Sequence, residues 1–142
     1  MSLRPNRSFL PFDTTGDSGA RTANFTGGIQ VSPQWARGAI ITLVASAASG
    51  SNTMQLQYSP DNGVTWINYG AASTALTGVG TSVLAFYPTN WSASAGASPA
   101  NFAISSTVAA VVANAPIPPM WRLSFAVPTS ITITGVFVNY IA

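Results

Sequence analysis

From Trp35 onward the apolar residues recur with a period of two, the spacing of a chain whose successive side chains point to opposite faces of a sheet. Thr53 to Tyr58 shows it most cleanly, with Met54, Leu56 and Tyr58 alternating with Thr53, Gln55 and Gln57. Met120 to Val127 places Trp121, Leu123, Phe125 and Val127 on one face and Met120, Arg122, Ser124 and Ala126 on the other. Ala39 to Ala47 is a β-branched run closed by Ser49, Gly50, Ser51 and Asn52, while Val64 to Tyr69 and Thr81 to Tyr87 supply two further candidates. In Ile131 to Ile141 the Ile/Thr alternation holds as far as Thr134, and after Gly135 both faces turn apolar. Gly135 marks either a bulge that exchanges the faces or a strand end covered on both sides by a neighbour. Six strands at this spacing, with no long amphipathic helical stretch, predict an all-β fold: an antiparallel β-sandwich, jelly-roll-like, over residues 35–142.

Two stretches stand apart from this pattern. Residues 1–34 carry Arg4, Arg7, Asp13, Asp17 and Arg21, with scattered Phe9, Leu10, Phe12 and Phe25 in no sustained period. They are expected to form an extended N-terminal arm that becomes ordered on docking, with Arg4, Arg7, Phe9, Phe12 and Arg21 as candidate partner contacts. The alternative is a terminal segment folded back over its own domain. The second stretch is the Ala/Ser-rich long loop 88–118, too long for a plain connector. It holds Trp91 and Phe102 as further candidate contacts, and Ser105 to Ala115 within it reads as a short helix or another strand.

Composition changes the picture of the surface. Only 6% of the 142 residues are charged, against about 25% in soluble globular domains. An exterior of Ser, Thr, Asn, Gln and Ala suits faces that become covered by other subunits. The mean hydropathy of +0.32 does not mean a membrane helix, because no apolar run approaches the roughly 18 residues one requires. The start MSLRPNRSFLPF also has Pro and Asn where a signal peptide needs its apolar segment, so synthesis in the cytoplasm without export is expected. Asn6, Asn24 and Asn90 open glycosylation tripeptides that are then read as chance.

Candidate chemistry is narrow. There is no His, Cys, Lys or Glu, which excludes Ser-His-Asp and Cys-His triads, Schiff-base lysines, disulfides and histidine- or thiolate-held metals. The carboxylates are Asp13, Asp17 and Asp61. Asp13 and Asp17 lie in a Thr/Gly/Ser segment that suits either a hard cation or, as expected here, a solvated loop. Asp61 meeting one of them across a glycosidic bond is formally open. A non-enzymatic protein without cofactor or metal is expected. The sequence pI of about 9.5 comes from a net charge of only +2, too small a footprint for nucleic acid.

Ser59, Asp61, Gly63, Thr65 and Trp66 fill every fixed position of S-x-D-x-G-x-T-W, which resembles the Asp-box hairpin of sialidases and many other β proteins. The local physics is turn chemistry: Asp61 accepts backbone N–H groups, Gly63 takes positive φ and Trp66 packs under the hairpin. Arg122 is open to three roles: a buried structural arginine, a cation–π partner of Trp66 or Trp91, or an intersubunit contact.

A second resemblance spans about residues 36–142. Ala36-Arg37-Gly38 opens a β-branched strand and Ala47-Ala48-Ser49-Gly50 closes it; Phe86-Tyr87-Pro88 ends another; Pro118-Pro119-Met120-Trp121-Arg122 opens a third; and a Thr-rich strand ends Asn139-Tyr140-Ile141-Ala142. This order is similar to that of small virion-associated proteins of tailed bacteriophages. The resemblance implies a capsid cement or decoration protein on the virion surface, with the major capsid protein or other virion proteins as partners. A homo-oligomer is expected, a trimer if it occupies threefold positions. The alternatives are a neck, tail or fibre component, or a glycan-binding module for host attachment in which Trp91 stacks on sugars.

Overall fold

A computed structural model describes residues 13–88 and 109–142. Its ten strands are β1 (Gly19–Arg21), β2 (Phe25–Thr26), β3 (Gln30–Val31), β4 (Gly38–Ser49), β5 (Thr53–Tyr58), β6 (Ile67–Asn68), β7 (Gly80–Phe86), β8 (Ala109–Ala113), β9 (Met120–Ala126) and β10 (Ser130–Ile141). They form two sheets, one ordered β1-β10-β4-β7-β8 and the other β2-β9-β5-β6, with β3 also paired to β9. The sheets pack face to face as a β-sandwich, and the alternation read from the sequence is the reason. Ile41, Leu43, Leu84 and Phe86 of the first sheet meet Met54, Leu56, Trp121, Leu123 and Phe125 of the second in one buried cluster. Each such aliphatic side chain removed from water contributes about 1.5–3 kcal/mol.

Gly135 is a bulge. The pairing of β10 with β4 shifts register between Thr132 and Ile133 and again between Ile133 and Gly135. Before it Ile131 and Ile133 point inward; after it Val136 does, with Val138 and Tyr140 packed against the same core. One extra residue exchanges the faces. The apolar run at the end of the chain therefore needs no second covering layer on its inward side.

Two expectations change and one open reading is decided. Val64 to Tyr69 yields only Ile67–Asn68 as strand, because the turn before it extends through Thr65, whose amide is held by Asp61. Part of Ser105 to Ala115 resolves as β8, which runs parallel to β7 from Ser82↔Ala109 to Phe86↔Ala113. A parallel pair needs a crossover of a dozen or more residues, which explains the length of the Ala/Ser-rich stretch. The described part of the N-terminal segment lies back over its own domain: β1 pairs with β10, and β2 and β3 with β9. Residues 1–12 lie outside the described residues.

Gly38 opens β4 where the chain passes closest to β7. A Cβ there would sit 2.3 Å from the Phe86 carbonyl oxygen, a backbone atom that cannot step aside. Gly78, by contrast, faces open space. Gly38→Ala is therefore expected to destabilise the fold by about 1–3 kcal/mol in urea denaturation, and Gly78→Ala to leave the midpoint unchanged.

Candidate functional site

The hairpin between β5 and β6 forms as its residue types dictate. Ser59 Oγ donates to Asp61 Oδ1 (3.0 Å) and accepts from the Gly63 amide (2.7 Å), and the Thr65 amide donates to Asp61 Oδ1 (2.6 Å). Asn62 and Gly63 take φ of 60° and 93°, the left-handed region that Asn and Gly tolerate best. The bonds from Thr65 and Ser59 hold the Asp61 carboxyl below its ordinary range. The Trp66 ring lies against Gly63 and under Arg122, whose guanidinium carbon is 4.4 Å from the ring centroid. Arg122 Nε also donates to Gln57 Oε1 (2.9 Å), and Gln57 Nε2 to Asn68 Oδ1 (3.0 Å). Of the three roles open to Arg122, the cation–π contact with Trp66 is the one observed.

The hairpin shares one end of the sandwich with the segment leading into β4. Val31 pairs with Met120 and the Ser32 amide donates to Pro119 O (2.8 Å). Ser32 Oγ accepts from the indole N–H of the fully buried Trp121 (3.0 Å) and donates to Pro118 O (2.8 Å). Along this segment Ile29 (56% exposed), Val31 (68%) and Trp35 (59%) stand open, as does Val64 (81%) in the hairpin, where Gly63 lies close to Ile29. Trp35 meets Tyr140 edge to face with centroids 6.5 Å apart. Next to Trp35 in the chain, Ser32, Pro33, Gln34 and Ala36 line a depression of about 290 Å³ together with Ile117 and Pro119. Sequence reasoning missed these residues; the alternation Ile29-Gln30-Val31 was the available signal.

The remaining carboxylates do not form a solvated loop. Asp13 Oδ1 accepts from the Thr15 amide (3.0 Å), the Gly16 amide (3.1 Å) and, across the molecule, the Val136 amide (3.1 Å) beside the bulge; its Oδ2 accepts from Ser18. Burial works to raise its pKa, but these bonds outweigh burial and hold it below the ordinary value. Asp17 is 5% exposed. Its Oδ1 accepts from the Gly28 amide (3.1 Å), its Oδ2 is buried without a partner, and Gly27 presses against it. Burial, helped by the nearby Asp13 charge and opposed by Thr15, Gly28 and Arg21, raises its pKa.

Among the described residues no group of three His, Cys, Asp or Glu side chains comes together to hold a metal. Asp61 makes its hydrogen bonds inside its own hairpin, and Asp13 spends both oxygens on backbone amides. Arg21 lies with its guanidinium carbon 4.2 Å from the Phe25 ring centroid. Arg4, Arg7, Phe9, Phe12, Trp91 and Phe102 lie outside the described residues. No protein-family model, curated protein or solved structure matches the chain.

Two outcomes follow from this geometry. A carboxyl with a raised folded pKa supports the fold below its ordinary value of 3.8, and that support is lost as pH rises through the folded value. Asp17→Asn is thus expected to raise the melting temperature by a few degrees at about pH 7, with the gain vanishing below about pH 4, as read by thermal scans across pH. Asp61→Ala is expected to speed hydrogen exchange at the Gly63 and Thr65 amides several-fold while leaving the β4 and β10 amides unchanged, as read by NMR.

Proposed function

We propose that this chain is a virion structural protein of a tailed phage, serving as a cement or decoration protein that bridges neighbouring shell subunits. The observation that carries the reading is the apolar end of the sandwich: Val31, Trp35 and Val64 stand in water while only 6% of the chain is charged. Contiguous exposed apolar surface on a small domain marks an interaction site. The motif order along residues 36–142 supports the phage setting. Asp13, Asp61 and Arg122 are taken up by turns, by the β10 bulge and by the Trp66 ring, an economy that suits a scaffold.

Its action is linkage: a protein that binds the assembled shell and not its separated subunits stabilises the shell by mass action. Partners are the major capsid protein and further copies of this chain. A neck or tail position would use the same surface on a different scaffold.

The test is addition of purified protein to shells from particles lacking it, followed by co-sedimentation and cryo-electron microscopy. Saturable occupancy is expected, changing little as salt rises from about 0.05 M to about 0.5 M, because screening acts on charges and few are present. Absence of saturable binding to any particle component would overturn the reading.

A further inference from the structure

Among the described residues six large apolar side chains are exposed, and five of them cluster toward the hairpin end; Val79, just before β7, lies at the other. The five come from separate segments, of which the hairpin and the segment before β4 meet around Met120. A Cβ on Gly63 would lie 3.9 Å from both Ile29 Cδ1 and Met120 Sδ, and Val31 pairs with that same Met120. Trp35 meets Tyr140 of β10, and its chain neighbours Gln34 and Ala36 line the depression. The segment before β4 is tied down by partly buried bonds through Ser32 and Trp121, which lowers the ordering cost left for binding.

The chain itself carries a complement. Residues 1–12, MSLRPNRSFLPF, hold Leu3, Phe9, Leu10, Phe12 and two prolines in a short stretch. Their point of attachment is set: Asp13 and Thr14 are bonded to Val136 and Val138 on β10. Val138 is three residues from Ile141, roughly 10 Å of strand, and Ile141 is at the hairpin end, where its carbonyl accepts from the Arg37 amide. Twelve extended residues span up to about 40 Å, enough to pass the hairpin end and reach a neighbouring molecule.

We infer that the apolar end formed by Ile29, Val31, Trp35 and Val64 receives residues 1–12 of a second copy of this chain, with an aromatic side chain seated in the depression between Pro33 and Pro119. The inference deepens the proposed assembly role by naming the segment and the surface through which copies join, and it rests on that reading only for its biological setting. The contact is heterologous, arm of one copy to end of the next. It therefore closes into a ring where the rotation permits.

Full-length chains test it. Phe9→Ala/Phe12→Ala disables the arm and leaves the surface; Val31→Asp/Val64→Asp disables the surface, at positions too exposed to disturb the core. Sedimentation velocity of the wild type is expected to show concentration-dependent association. Each double variant alone is expected to stay monomeric with an unchanged circular dichroism spectrum, and an equimolar mixture of the two to form a one-to-one complex. The inference is overturned by a wild type monomeric at every concentration, by association that survives either double variant, or by a mixture that remains monomeric. A second measurement guards against misfolding: single Trp35→Ala is expected to weaken wild-type association at least tenfold, and an unaltered association constant overturns the inference. Shell binding by a monomeric wild type would sink this contact while sparing the cement role; self-association without shell binding would do the reverse.

Discussion

The sandwich depends on the bulge at Gly135. β10 is paired on one side with β4 along most of its length and on the other with β1, so its facing controls the whole first sheet. Without the extra residue, Val136, Val138 and Tyr140 would turn outward and leave the core open at the hairpin end. The bulge in turn frees the backbone of Val136, and the chain answers with Asp13 and Thr14. The carboxylate accepts the Val136 amide, and the Thr14 amide and hydroxyl both donate to the Val136 carbonyl. A local irregularity in the last strand thus fixes where the N-terminal segment joins the fold.

Among the described residues ionised groups serve almost wholly for architecture. Asp13 gathers several amides that a short turn leaves without partners, Asp61 holds the Thr65 amide and the Ser59 hydroxyl of its hairpin, and Arg122 covers an indole ring while bonding to Gln57. Asp17 is the exception: half of its carboxyl is bonded and half is buried bare. Neutral groups do the rest. Asn52, 3% exposed, sends its amide toward the carbonyls of Leu76 and Ser49, stitching the β4–β5 turn to the segment before β7. A fold braced in this way needs little charge on its exterior, which is the property the proposed assembly role exploits.

What could be read in the sequence follows from how local the determining physics is. β5 and β9 were legible because strict alternation has one explanation, and the Ser59–Trp66 hairpin because its bonds close within a few residues. The Gly135 exchange was legible as one of two readings. β6 was overcalled because Trp66 looks like a strand residue but is held by the turn and by Arg122 from a strand distant in sequence. β8 was ambiguous because its parallel partner lies across a long connection, a non-local pairing that periodicity does not encode. Residues 13–34 were harder still: each of β1–β3 is two or three residues long, and only the edges of β9 and β10 make them strands. The roles of Asp13 and Asp17 depend on Val136 and Gly28 meeting them in space, and nothing in DTTGDS announces that.

Among the described residues the placement of the indoles gives three optical depths. Trp121 is sealed in the core and bonded to Ser32, Trp66 is half-shielded by a guanidinium, and Trp35 stands 59% open to solvent. Their emission therefore samples the interior, the hairpin and the outermost rim separately. A quencher dissolved in the buffer reaches Trp35 long before Trp121, so with Trp91 replaced by Phe intrinsic fluorescence can distinguish covering of the rim from loosening of the core without any added dye.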